Sequence, residues 1–197
     1  PISVTLGPGI IKNIFDGIER PLKDISQLSG AFIEPGSNVE SLDNHKEWDV
    51  TMKIQEGEAL SPGQIYATVP ETNLIEHRLM VPPHLYGTAV YVAENGKRKI
   101  QDCILKLKDE NGVVHELTLV QKWPIKTPRP VKERLPISIP LITGQRVIDT
   151  LFPIAKGGTA AVPGGFGTGK TMTQHQLAKW CDADIIVYVG CGERGNE

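Results

Sequence analysis

The sequence predicts an α+β chain built in parts, an all-β stretch followed by the opening of a parallel α/β domain, and three observations predict it. Between residues 23 and 127, short runs of branched and aromatic residues alternate with the turn dipeptides Pro35-Gly36, Pro62-Gly63, Asn95-Gly96 and Asn111-Gly112. Between residues 124 and 140, five prolines (Pro124, Pro128, Pro130, Pro136, Pro140) fix backbone angles and remove donors, which marks a boundary. Beyond it come an apolar run, a Gly-rich turn, a helical pattern and a second apolar run, the order of a parallel α/β unit.

Residues 1–22 combine Gly7, Gly9 and Gly17 with Ile10, Ile11, Ile14 and Phe15, and read as a connector holding a short helical segment between turns. In residues 23–127, alternation predicts strands over 48–54, 64–69, 76–81, 87–92, 102–107 and 113–121, with Asn111-Gly112 suited to a tight hairpin. In residues 128–197 the pattern predicts a helix over 145–152, a buried strand over 159–162, a helix over 170–180 and a strand over 185–189.

Composition narrows the function classes. With 22% charged and 40% hydrophobic residues the chain has the balance of a soluble globular protein. A net charge of -2, with acids and bases interspersed, offers no basic field to nucleic acid. Cys103, Cys181 and Cys191 lack metal-ligand spacing and read as reduced, structural thiols in the cytoplasm. His77, His84 and His115 are irregularly spaced and gather no ligand set, so no metal is assigned to the β stretch. The apolar runs fall far short of the ~20 residues a spanning helix needs, so any membrane connection runs through partners. The start lacks Met and a charged leader, and the end follows closely on a strand-like run; both read as cuts in a longer chain.

The strongest chemical signal is Gly164-Gly165-Phe166-Gly167-Thr168-Gly169-Lys170-Thr171, a full match to the phosphate-loop pattern between a predicted strand and a predicted helix. Its glycines let backbone N–H groups approach phosphate oxygens, and the helix beginning near Lys170 adds its unpaired N–H groups and positive dipole end. Lys170 is placed on the β- and γ-phosphates, and the Thr171 hydroxyl on Mg²⁺, a hard cation that takes oxygen ligands. Hydrolysis needs a further group to orient the attacking water, and the next candidate is Glu193, in a Gly-rich exit after the second strand. From position alone a solvated loop carboxylate is an equal reading of Glu193.

GGFGTGKT followed by TQHQLAKW and then IVYVGCGERGNE resembles the catalytic A subunits of V-type and archaeal A-type rotary ATPases. PLITGQRVIDTLFPIAKGGT at 140–159 resembles the segment before the phosphate loop in the wider rotary family, and GPGIIKNIFDGIERPL at 7–22 resembles its exit from an N-terminal barrel. An F-type β subunit passes almost directly from one to the other. Here about a hundred residues intervene, from Lys23 to Thr127, resembling the bulge domain of the V-type A subunit. HRLMVPPHLYGTAVYVAENGKRKIQD at 77–102 has the cadence of a lipoyl- or biotinyl-type barrel-sandwich, but without a Met-Lys-Met tip no covalent cofactor is expected.

The fold this resemblance implies is an all-β, barrel-sandwich-like insert followed by the start of a RecA-like P-loop α/β nucleotide-binding domain, truncated. It implies that Glu193 polarises the attacking water, that Lys170 and Thr171 contact phosphate and magnesium, and that Arg194 lies beside the γ-phosphate. With Thr168 where eukaryotic relatives carry a cysteine, a redox lock through that thiol is not expected. The implied ligands are ATP or ADP and Mg²⁺. The implied partners are a B subunit in an alternating A3B3 hexamer, the central rotor stalk and, through the bulge, the peripheral stalk. Membrane contact runs only through the ion-translocating sector, on the cytoplasmic side. Parts of the family's machinery fall outside these residues: the N-terminal barrel, a later acidic residue supporting Mg²⁺, the C-terminal helices and an arginine finger from the B subunit. Residues 1–197 alone are therefore expected to bind nucleotide weakly or not at all and not to turn it over efficiently. The alternative reading is a non-catalytic interaction module whose bulge binds the peripheral stalk; a generic P-loop kinase lacks any sign of an acceptor pocket.

Overall fold

Alternating apolar residues bury one face of short strands such as Glu47–Met52, and much of the first part of the chain folds into strands. The computed structural model describes residues 2–37, 39–131 and 133–192, and the chain divides into two units, Pro1–Lys132 and Glu133–Glu197.

The first unit opens with β1 (Ser3–Leu6) and a helix, α1 (Leu22–Ser29). It continues with β2 (Glu47–Met52), β3 (Ala59–Leu60), β4 (Ile65–Pro70), β5 (Glu76–Met80), β6 (Gly87–Val92), β7 (Gly96–Lys99), β8 (Leu105–Lys108), β9 (Val114–Leu117) and β10 (Gln121–Pro124). Two antiparallel four-stranded sheets form, in the orders β5-β4-β2-β7 and β3-β6-β8-β9. Between them lies a core that includes Val50, Tyr66, Val69, Val81, Ile100, Ile104, Leu105 and Leu107. A bulge between Ile65 and Ala67 breaks the alternation, so that consecutive Tyr66 and Ala67 are both fully buried; one between Ala89 and Tyr91 leaves Val90 and Tyr91 both exposed. The β8–β9 hairpin turns through Asp109–Val113 with Gly112 at φ +83, a three-residue loop whose last residue takes the left-handed conformation. The predicted strand over 113–121 is two strands, because the chain leaves β9 to pair β10 with β1.

Residues 1–22 are expected to hold a helical segment between turns, but the described residues 2–21 hold none. Side-chain acceptors take the backbone donors instead. The Glu71 carboxylate accepts from Gly9 N at 2.7 Å and Ile11 N at 3.1 Å, Asp16 accepts from Ile18 N and Arg20 N, and both oxygens of Glu19 accept from Thr5 N at 2.8 Å. The helix lies later, at α1, entered from Pro21 and ended by Gly30, with Ile25 buried.

The Glu71 anchor carries a pH dependence. His77 Nδ1 lies 3.3 Å from Glu71, whose side chain is only 3% exposed. Burial lowers the His77 pKa, Glu71 pulls it back up and Arg129 lowers it again; burial wins, and His77 sits below its ordinary 6.5. As pH falls, the unfolded chain therefore takes up the proton first. The stabilisation is complete above about pH 6.5 and is lost as pH drops through the folded-state value. Hydrogen exchange on the full-length protein, corrected for intrinsic rates, is expected to show Gly9 and Ile11 losing protection on acidification, and losing less of it in His77→Gln.

The second unit contains β11 (Pro140–Leu141), α2 (Arg146–Leu151), β12 (Ile154–Ala155) and α3 (Lys170–Trp180), with β11 and β12 paired antiparallel. The segments 159–162 and 185–189, expected as strands, carry no ladder. A parallel strand needs a hydrogen-bonded neighbour, and among the described residues neither segment meets one. Ile185, Ile186, Val187, Tyr188 and Val189 accordingly remain exposed.

Candidate functional site

The Gly-rich turn delivers the chain into α3 at Lys170. Gly169 caps the helix at φ +82, a left-handed conformation that favours glycine, and the first-turn N–H groups of α3 have no helical acceptors. Gly164 answers a different constraint. A Cβ there would clash with Thr168 Oγ1, so the loop closes as observed around the bare Gly164 backbone. Two side chains fasten that closure, with Lys170 Nζ donating to the Gly164 carbonyl and Thr168 Oγ1 to the Gly165 carbonyl at 2.8 Å.

Gly165, Phe166, Gly167, Thr168, Gly169, Lys170 and Thr171 line one cavity of about 660 Å³, within the usual range for small-molecule sites. Gly164 is not among its lining residues. A Cβ at residue 165, 167 or 169 would meet nothing within 4 Å, so the space over the loop backbone is open. Backbone donors, one ammonium and one hydroxyl make a donor set that fits a magnesium-bound polyphosphate.

Met172, His175 and Gly192 also line this cavity, and the motif reading did not single them out. The signal for His175 was present, since it follows Thr171 by four positions and so shares its helix face. Gly192 brings the segment after residues 185–189 to the same cavity. Glu193 and Arg194, which follow it, lie outside the described residues.

The base of the unit is tied by Asp149. Its carboxylate accepts from Thr143 N at 2.9 Å, Thr143 Oγ1 at 2.7 Å and Gly144 N at 3.1 Å. The Thr143 hydroxyl and amide hold its pKa below the ordinary 3.8 against the opposing effect of burial. The chain beside it meets the far end of α3, with Asp182 N donating to the Ile142 carbonyl at 2.8 Å. No helix among the described residues is long and apolar enough to cross a membrane.

Residues 39–126 match the ATP synthase alpha/beta subunit barrel-sandwich domain, and residues 144–197 match the nucleotide-binding domain of the ATP synthase alpha/beta family. The whole chain is 60% identical to the V-type ATP synthase alpha chain of Halothermothrix orenii and 60% identical to V-type ATP synthase alpha chain 2 of Clostridium tetani. It is 55% identical, over 196 residues, to the A subunit of the A-type ATP synthase of Methanopyrus kandleri. In each case the chain spans 33% of the relative's length. Two facing antiparallel sheets form the barrel-sandwich, and the phosphate loop with α3 opens the nucleotide-binding domain. The chain belongs to the ATP synthase alpha/beta family, where it aligns along its whole length with V-type alpha chains and A-type A subunits.

Proposed function

We propose that the chain is part of the catalytic subunit of a rotary ion-translocating ATPase or ATP synthase, binding Mg-ATP and coupling its hydrolysis or synthesis to movement of H⁺ or Na⁺. The observation that carries this reading is the convergence of the loop backbone, Lys170 and Thr171 on one open cavity at the start of α3. Gly164, Gly165, Phe166, Gly167, Thr168 and Gly169 wrap the phosphates. Lys170 exchanges its bond to the Gly164 carbonyl for the β- and γ-phosphate oxygens, neutralising charge that builds up during transfer. Thr171 would hold Mg²⁺ through its hydroxyl, and the cation, when bound, would supply positive charge against the phosphate oxygens. Glu193 orients and deprotonates the attacking water, and Arg194 steadies the γ-phosphate.

The full-length protein works, in this proposal, with a B subunit in an A3B3 hexamer that encircles a central rotor stalk. The barrel-sandwich bulge meets the peripheral stalk, and the catalytic subunit lies on the cytoplasmic side, reaching the membrane only through the ion-translocating sector. Substituting Thr171→Ala in the assembled complex tests the site. The Mg²⁺ concentration for half-maximal turnover is expected to rise on the order of tenfold, a loss of about 1.4 kcal/mol. An unchanged Mg²⁺ dependence would remove Thr171 from the metal.

A further inference from the structure

We draw no further inference here: the strongest candidate, the side-chain cluster of Glu71 and His77 that holds the entering chain at Gly9 and Ile11 against β4 and β5 of the first unit, adds nothing to the pH-dependent anchor already derived from it.

Discussion

Replacing Lys170 with alanine in the full-length assembled protein is expected to lower ATP turnover by about three orders of magnitude, the scale seen when a preorganised charge-stabilising donor is removed. Two features of the loop make the loss this large. Lys170 is the first residue of α3 and lines the cavity together with Thr171, so its ammonium is fixed close to the loop backbone. Charge accumulates on the phosphate oxygens during transfer, and the protein contributes mainly position and electrostatics. Folding should be spared, because Lys170 is not buried and its bond ends on an exposed loop carbonyl. Assembly yield and thermal unfolding close to the parent, with turnover lost, is the expected pair of results.

Glu193→Gln should lower turnover by a similar amount while leaving Mg-ATP binding almost untouched. A positioned general base contributes about 10² to 10⁴ in rate, and an amide of the same shape cannot take the proton. The substitution removes the charge and keeps the volume, so the phosphate contacts of the loop persist. Pre-steady-state mixing is expected to show rapid nucleotide binding followed by chemistry slowed about a thousandfold. Weakened binding with an unaltered chemical step would give the water-activating role to another residue.

Both substitutions fall on residues that the sequence proposes, and of the two the phosphate loop is legible in the structure because it is local. A phosphate loop is a contiguous run whose glycines, lysine and threonine act at fixed spacing, so α3 begins where the motif says, at Lys170. In the first unit β2, β4, β5, β6, β8 and β9 were legible through their alternation and turn dipeptides, most of their ends within a few residues of the expected ones, whereas β1, β3, β7 and a separate β10 were not expected.

What stayed hidden depends on contacts between distant positions. Glu71 holds Gly9 from 62 positions away, and nothing in the run of residues 7–15 reports that its donors are taken from outside. The apolar run was read as helical for that reason. Helix α1 had local signals in Pro21 and Gly30, but the β cadence beyond residue 23 outweighed them. The bulges that bury Tyr66 beside Ala67 insert a residue without a sequence mark. Residues 159–162 and 185–189 show the opposite case, apolar enough to read as strands but without, among the described residues, the neighbours that make a ladder. The partnership of His175 with Tyr188 likewise appears only in three dimensions.

A structure of the full-length assembled protein with Mg-ADP tests the central claim most directly. The account predicts the β-phosphate seated over the backbone of residues 164–169, Lys170 Nζ transferred from the Gly164 carbonyl to a phosphate oxygen, and Mg²⁺ against the Thr171 hydroxyl. Phosphates bound elsewhere, with Lys170 still on the Gly164 carbonyl, would contradict it.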